Sequence, residues 1–272
     1  MKLITVIILS FVISQAGNLF AQNETPEKNI SEKIVEDFNH FVFAGSSLAS
    51  SPFHYSGNDF LALGSVAGGT AVLFSIDKNV RSFSQLKKTI FNNKLFITDK
   101  YYGSGYTLLI PGGLYAYGLI AGDSGIRKLG LHVSEALIYS GLIATVLKAA
   151  TGRRRPYAGD SQFFFKPLQI SNDELLSLPS GHTTVAFAVS TVMADHLDNS
   201  YWKIFWYGAA GWVAASRVYN NAHWASDVFL GSAIGYFTGS FITNLDKKKE
   251  NKEELTFMPY FSLQQVGVVI NF

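Results

Sequence analysis

The sequence predicts an all-α fold, a bundle of about six core apolar helices that crosses a membrane. Two observations favour this class. Of the 272 residues, 48% are hydrophobic and only 15% are charged, whereas about 25% are charged in typical soluble domains. Apolar segments rich in Gly, Ala and Ser also recur along the chain, and small residues allow helices to approach closely. These segments are Phe60–Ile76, Tyr106–Ala121, Ala136–Ala150, Thr183–Ala194, Ile204–Ala215 and Val228–Ile242.

The lengths of the segments leave one alternative open. Each is shorter than the ~20 residues that an untilted membrane span requires, so a soluble all-α bundle is the competing prediction. The net charge of +2 excludes a strong electrostatic attraction to nucleic acid. The chain has no cysteine, which excludes disulfides and thiolate chemistry.

The chain outside these segments divides into three further regions. Lys2 precedes the short apolar run Leu3–Ile13, a pattern typical of a signal peptide, with an uncleaved anchor as the alternative. An amphipathic pattern at helical spacing is formed by Ile34, Phe38, Phe41 and Val42. Alternation within Val266–Phe272 predicts a strand. The predicted organisation is a signal peptide over 1–21, an amphipathic region over 22–59, the helical domain over 60–243, and a charged linker with a short extended tail over 244–272.

The stretch Ser216–Asp227 lies between the last two apolar segments and carries the strongest chemical signal. It places Arg217, His223 and Asp227 at fixed spacing in apolar surroundings. His223 and Asp227 are four residues apart, so they share one helix face if the next helix begins near His223. The carboxylate then accepts the imidazole Nδ1–H, fixes the tautomer and leaves Nε2 as a nucleophile.

Two earlier blocks, Lys148–Pro156 and Pro179–His182, also lie at the edges of apolar segments. A phosphoryl group in transfer spreads negative charge over its oxygens, so its catalysis needs positioned cations and hydrogen-bond donors. Lys148, Arg155 and Arg217 supply cations, and an arginine fork can hold two oxygens at once.

The second block supplies uncharged donors and an acid. Ser180 adds a hydroxyl, and Gly181 allows a backbone N–H to come close to the anion. If a helix starts near Ser180, its first N–H groups also point at the phosphate. His182 is then a candidate acid for the leaving oxygen.

Together the three blocks resemble the type 2 phosphatidic acid phosphatase superfamily, which includes vanadium haloperoxidases. The superfamily signature is Lys-x6-Arg-Pro, Pro-Ser-Gly-His and Ser-Arg-x5-His-x3-Asp, in that order, and every signature position is present here. The resemblance covers roughly residues 60–242. It implies the helical bundle of that superfamily.

The resemblance also implies a role for each residue. His223 attacks phosphorus and forms a phosphohistidine, Asp227 orients His223, and His182 protonates the leaving group and then activates water. The residues that bind the phosphate are Lys148, Arg155, Ser180, Gly181 and Arg217. No metal or other cofactor is implied.

The implied activity is that of a phosphoric ester or anhydride hydrolase acting on lipid phosphates. Candidate substrates are phosphatidic acid, phosphatidylglycerol phosphate, undecaprenyl diphosphate and a lipid A phosphate. The expected partners are this lipid and the membrane, without nucleic acid or an obligate protein partner. The alternatives are a secreted soluble acid phosphatase of broad specificity, a vanadium haloperoxidase in which His223 ligates vanadate, and a scaffold that has lost catalysis.

The expected location is a bacterial cell envelope, in the inner membrane with the site facing the periplasm. A soluble periplasmic protein is the alternative. Six crossings after a cleaved signal would instead place the three blocks on the cytoplasmic side, and the Lys-rich stretch Asp77–Gly105 favours the cytoplasm for its own position.

Several polar residues receive no catalytic role. Arg153 and Arg154 are expected to form a charge cluster beside the membrane. His132 and Glu135 are expected to face a loop or the headgroup region. His40, His54 and His196 have no partner at catalytic spacing, and no role is predicted for them.

Overall fold

Helices make up most of the chain that the structure, a computed structural model, describes: residues 28–197, 199–250, 256–261 and 266–271. The predicted signal peptide lies outside these residues. The helices are α1 (Ile30–Ser50), α2 (Gly57–Leu86), α3 (Ile90–Leu95), α4 (Leu109–Ala121), α5 (Ser124–Thr151), α6 (Gly181–His196), α7 (Ser200–Tyr219) and α8 (Ala225–Glu250). Short 3-10 helices cover Ser51–His54, Thr98–Lys100, Gly105–Leu108, Pro156–Ala158 and Asp173–Leu175.

Every predicted apolar segment lies in a helix, so the predicted all-α bundle is confirmed. Several of these helices extend well beyond their apolar segments because polar residues continue the helix at the ends. Among the described residues, three helices are long and apolar enough to cross a membrane: Gly57–Leu86, Ser124–Thr151 and Ala225–Lys247. The apolar segments are thus shorter than the helices that contain them, and these helices are long enough to cross a membrane. This finding indicates a membrane protein.

Local sequence signals set the ends of these helices. Ser56 and Asp59 form a capping box at the start of α2, and the Asp123 side chain accepts the Ile126 N–H at the start of α5. Gly152 ends α5 with φ of +58°, a left-handed conformation that favours glycine. A Cβ at this position would also lie 1.6 Å from the Lys166 carbonyl oxygen.

The six helices α2 and α4–α8 alternate in direction along the bundle. We call the end at which α2, α5 and α7 finish and α6 and α8 begin the loop end. At the loop end, the Gln85 amide of α2 donates to the Tyr219 carbonyl of α7 over 3.2 Å. There too the Ser180 N–H, at the start of α6, donates to the Asp227 carbonyl of α8 over 2.9 Å. The loop end thus gathers the termini that carry the three sequence blocks.

Helix α6 lies at the centre of the bundle, in contact with α5, α7 and α8. Its side chains Val189, Val192 and Met193 are fully buried. Helix α8 approaches α6 closely through a stripe of glycines at every fourth position, and a Cβ at Gly235 would lie 2.3 Å from the Thr184 carbonyl oxygen. Small residues therefore fix the distance between these two helices.

Helix α2 has the opposite character. Only 6% of its most apolar window is buried inside the protein, and Leu61, Leu63 and Val72 are exposed. An apolar helix of this length with so little protein contact is typical of a helix that faces lipid.

Helix α1 lies within the predicted amphipathic region, and only part of the predicted apolar face packs on the bundle. Phe41, Ala44 and Leu48 pack against the core, whereas Ile34 and Phe38 are 47% and 53% exposed. Helix α1 lies against α5 and α8, towards the end opposite the loop end.

The carboxy-terminal region differs from the prediction in two ways. Helix α8 continues to Glu250, so the first part of the predicted linker is helical. The tail contains two strands rather than one, β1 (Thr256–Phe261) and β2 (Val266–Asn271), which pair in an antiparallel hairpin.

Two predictions about polar residues are wrong. Asp77 belongs to α2 and is fully buried, so the Lys-rich stretch 77–105 begins as a helix and not as a loop. His132 and Glu135 do not face a loop or headgroups, since they are 2% and 0% exposed inside the opposite end of the bundle.

Candidate active site

All eight predicted site residues lie at the loop end of the bundle. Lys148 occupies the last turn of α5, Ser180 caps α6, and Gly181 and His182 form its first turn. Arg217 lies in the last turn of α7, His223 in the turn that follows it, and Asp227 in the first turn of α8. Arg155 comes from the loop between α5 and α6.

A tight turn places His223. Its N–H and that of Ala222 both lie within hydrogen-bond distance of the Arg217 carbonyl oxygen. Asn221 adopts φ of +57°, which asparagine tolerates better than most residues, and its side chain accepts a hydrogen bond from Arg81 of α2 over 2.8 Å. The neighbouring Trp224 is buried and donates to the Arg154 carbonyl. Contacts of the residues before and after His223 therefore fix the position of its imidazole.

The contact between Arg155 and His223 fixes the imidazole tautomer. Nη1 of Arg155 lies 3.1 Å from Nε2 of His223. A guanidinium has only donors, so Nε2 must be the unprotonated acceptor and Nδ1 carries the hydrogen. The nitrogen lone pair that could attack phosphorus therefore faces the cations.

Each of the three cations is held by an oxygen. Arg155 donates to Asp173 over 2.7 Å, Arg217 donates to Asp99 over 2.7 Å, and Lys148 donates to a backbone carbonyl over 2.6 Å. Nε of Arg217 is buried without a hydrogen-bond partner.

Of these three contacts, the ion pair between Arg155 and Asp173 is the one that a phosphate can most easily replace. The Asp173 side chain is 71% exposed, and an ion pair of that kind contributes little to stability. An incoming phosphate can take the place of the Asp173 carboxylate on the Arg155 guanidinium.

The start of α6 supplies uncharged donors beside these cations. A Cβ at Gly181 would lie 3.7 Å from Cε of Lys148, so the backbone here runs directly next to the lysine side chain. The Ser180 hydroxyl shares a hydrogen bond of 2.9 Å with the Thr183 hydroxyl. The N-terminus of a helix, with its unpaired N–H groups, favours an anion at this position.

Burial and positive charge together act on both histidines. Burial first, and then Lys148 and Arg155, lower the pKa of His223 well below 6.5. Burial and Arg217 lower the pKa of His182 to about 4. Both imidazoles are therefore neutral near pH 7 before an anion enters the site.

Asp227 does not form the predicted hydrogen bond with His223. The Nδ1 to Oδ2 distance is 3.6 Å, and Nδ1 has no hydrogen-bond partner. Helix α8 begins at Ala225, just after His223, so His223 lies outside the helix and the two side chains do not share a helix face. The same carboxylate accepts hydrogen bonds from Ser177, over 2.5 Å, and from the Trp224 N–H, over 2.9 Å.

Arg153 is the main residue that the sequence analysis missed. It is fully buried and not part of a charge cluster beside the membrane. Its Nη1 lies 2.5 Å from Asp227 and its Nη2 lies 2.7 Å from Asp77. The guanidinium also stacks over the Phe74 ring, 4.0 Å from the centroid.

The second missed residue is Asp77, which accepts from Arg153 and from both the N–H and the hydroxyl of Ser226. Helix α2, the loop after α5 and the start of α8 therefore meet at one buried network. Asp77 is the one carboxylate of α2 beyond its first turn, and this was the available signal for it. No local motif pairs it with Arg153.

Residues 129–251 match the model of the PAP2 superfamily. The matched region contains all three sequence blocks. The recognition of the three blocks is therefore confirmed.

The relatives and a structural neighbour agree with the superfamily. The chain is 46% identical over 68 residues to a lipid A 1-phosphatase of Porphyromonas gingivalis, which covers 23% of this chain and 15% of that protein. It is 33% identical over 112 residues to a lipid A 1-phosphatase of Rhizobium etli, covering 40% of this chain and 47% of the relative. The matches thus span less than half of either relative.

A solved structure shows the same fold. The transmembrane PAP2-type phosphatidylglycerolphosphate phosphatase of Bacillus subtilis aligns with a TM-score of 0.50 and 20% identity, over 79% of this chain and 96% of that one. The likeness supports the bundle as a membrane fold.

We expect Arg153→Met to lower the free energy of unfolding by about 3–5 kcal/mol, because Asp77 and Asp227 would remain buried without their shared cation. Thermal unfolding of the detergent-solubilised protein measures this change. Arg154→Met is the matched control, since Arg154 is only partly buried and stacks on the Phe164 ring. Equal melting temperatures for the two variants would contradict the role given to Arg153.

We expect the His223 imidazole to stay neutral as the pH falls through 6.5. Its pKa lies well below 6.5, and a group with a lowered pKa takes up a proton only when the pH falls below that value. NMR of ¹⁵N-histidine-labelled protein in detergent micelles follows the protonation, and His223→Gln identifies the signal. A transition of that signal near pH 6.5 would contradict the electrostatic description of the site.

Proposed function

We propose that this protein is a phosphatase that hydrolyses lipid phosphate monoesters or diphosphates through a phosphohistidine on His223. One observation carries the proposal. Nε2 of His223 is an unprotonated acceptor that lies 3.1 Å from the Arg155 guanidinium. The same ring experiences the positive charges of Lys148 and Arg217. A nucleophile that faces converging cations suits attack on an anionic phosphorus centre.

The cations and the start of α6 would bind the phosphate. Arg155 exchanges the exposed Asp173 for phosphate oxygens, and Arg217 offers its buried unpaired Nε–H. Lys148 adds a third positive charge beside Gly181. Charge that spreads over the equatorial oxygens in the transition state then meets donors that are already in place.

In the first step, Nε2 of His223 forms a bond to phosphorus while the bond from phosphorus to the lipid oxygen breaks. His182 gives a proton to that oxygen. In the substrate-free site the pKa of His182 is about 4, and the negative charge of a bound phosphate offsets the cations that lower it. Phosphate binding thus raises the pKa of His182, which allows the imidazole to carry the proton that it donates.

In the second step, His182, now neutral, removes a proton from a water molecule that attacks phosphorus. The bond between phosphorus and Nε2 of His223 breaks, and inorganic phosphate is released. Asp227 contributes negative charge at 3.6 Å from Nδ1, which stabilises the imidazole when it becomes positive on phosphorylation.

The substrate class follows from the setting of the site. The site lies at one end of long apolar helices, where the headgroup of a lipid would be, and α2 beside it presents an apolar surface. The relatives of Porphyromonas gingivalis and Rhizobium etli are lipid A 1-phosphatases, so we favour the phosphate of a lipid A among the candidate substrates. These relatives do not favour a soluble acid phosphatase or a haloperoxidase.

We further propose that the protein lies in the inner membrane of a bacterial cell envelope with its site facing the periplasm. This orientation places Lys28, Arg127, Lys128 and Lys247 on the cytoplasmic side. It also places the Lys-rich stretch Asp77–Gly105 on the periplasmic side, against the positive-inside rule. This orientation requires that Lys28 is not exported by a cleaved signal peptide.

The lack of native cysteines allows a direct test of this orientation. Lys88→Cys, in the exposed loop after α2 at the loop end, should react with a membrane-impermeant maleimide in intact spheroplasts. Ser200→Cys, exposed at the start of α7 at the opposite end, should react only after permeabilisation. The reverse pattern would show a site that faces the cytoplasm.

We expect purified protein to release phosphate from lipid A carrying a 1-phosphate, and His223→Gln to reduce the rate at least about 1,000-fold, because it removes the nucleophile. Phosphate release in mixed micelles measures this, with phosphatidic acid, phosphatidylglycerol phosphate and undecaprenyl diphosphate as parallel substrates. His54→Gln changes an exposed histidine away from the site and should retain the wild-type rate.

Two results would contradict this proposal. Equal rates for wild type and His223→Gln would exclude His223 as nucleophile. Hydrolysis of soluble phosphate esters with none from any lipid would exclude the lipid substrate class.

A further inference from the structure

A second group of polar side chains lies at the opposite end of the bundle, away from the candidate active site. His40 of α1, His132 and Glu135 of α5, and Asp246 of α8 meet there. Glu135 is fully buried and His132 is 2% exposed. The proposed phosphatase chemistry uses none of these four residues.

Two distances within this cluster are close to those between the ligand atoms of a metal site. Nε2 of His40 lies 2.9 Å from Oδ1 of Asp246, and Nε2 of His132 lies 3.2 Å from Oδ2 of the same carboxylate. One ligand atom from each of these three residues falls within 4.8 Å of the other two. Tetrahedral zinc with bonds of about 2.0–2.1 Å places neighbouring ligand atoms about 3.3 Å apart.

Glu135 provides the outer support that a metal-binding histidine normally has. Its Oε1 lies 2.7 Å from Nδ1 of His40. When Nδ1–H donates to this carboxylate, Nε2 presents its lone pair toward Asp246 and His132. The carboxylate also fixes the orientation of the His40 ring.

His132 gives an independent indication of a ligand. Both of its ring nitrogens are buried and neither makes a well-aligned hydrogen bond, although Nε2 lies 3.2 Å from Oδ2 of Asp246. A buried polar nitrogen whose hydrogen-bonding capacity is not satisfied is costly. A cation between His132, His40 and Asp246 would satisfy Nε2.

We propose that His40, His132 and Asp246 form a binding site for a divalent transition-metal ion of the zinc type, with Glu135 holding His40 from behind. Two imidazoles and one carboxylate are a ligand set that suits Zn²⁺. The ion would join α1, α5 and α8 at the end opposite the site. Because the ligands come from three helices, its binding would stabilise the docking of α1 on the bundle.

The alternative to a metal site is a metal-free cluster held together by ion pairs. Lys128 lies 2.7 Å from Oδ2 of Asp246 and its side chain is 44% exposed, so it can move into solvent when a metal ion takes its place. Without an ion, a proton on His40 bridges Glu135 and Asp246 as a buried ion pair. A metal ion would displace that proton and the ammonium group together.

The test uses the full chain, purified in detergent with a tag that contains no histidine, stripped with a chelator and titrated with Co²⁺ and Zn²⁺. We expect one ion per chain, a visible Co²⁺ absorption typical of four or five ligands, and a rise in melting temperature of about 5–10 °C at saturating Zn²⁺. His132→Gln and Asp246→Asn should each abolish the Co²⁺ absorption. Glu135→Gln should weaken binding about 10–100-fold, as loss of a supporting carboxylate does.

Two controls locate the bound ion. His54→Gln removes an exposed histidine, and His223→Gln removes the imidazole at the loop end, so both should retain one ion per chain. Gel filtration establishes that each variant is folded. If one of the two ligand variants does not fold, the other still tests the proposal. No saturable binding, or binding unchanged in both ligand variants, would overturn the proposal in favour of the ion pair.

Discussion

The structure depends on one buried cation, the guanidinium of Arg153. A charge placed in a protein interior needs partners, since its loss of hydration costs several kcal/mol. Arg153 has carboxylates on both sides, Asp77 and Asp227, together with the Gln162 carbonyl and the face of Phe74. These contacts connect the lipid-facing helix α2, the loop after α5 and the start of α8. The turn that carries His223 is built directly on this network.

The same network changes how Asp227 acts. Its carboxylate already accepts hydrogen bonds from Arg153, Ser177 and the Trp224 N–H. In the proposed mechanism it acts on His223 through its charge at 3.6 Å and through the position of the turn, rather than through a hydrogen bond to Nδ1. Arg155, on the other side of the ring, determines which nitrogen is unprotonated. Arg155 and Asp227 thus lie on opposite sides of the imidazole that we propose as the nucleophile.

The sequence was sufficient for features that depend on local pattern. Apolar segments at the edges of three polar blocks predicted the helical bundle, and the structure brings Lys148, Ser180 and His223 to one end of it. Pairings between distant residues were not predictable in this way. Arg153 and Asp77 are separated by 76 positions, and His40 and Asp246 by 206. Arg153 resembled a surface cluster because it is followed by two further arginines, and only the packing of α2 shows that it is buried.

The central claim is that His223 becomes phosphorylated during turnover. Rapid mixing with a lipid phosphate substrate, quenching in alkali and mass spectrometry of the proteolysed protein test it directly, because a phosphohistidine survives alkali. The His182→Ala variant should retain the intermediate longer, since it lacks the group that activates water. We expect phosphate on His223 within the first turnover, and none in His223→Gln. Full turnover with no phosphate on His223 at any time, in wild type or in His182→Ala, would contradict the mechanism.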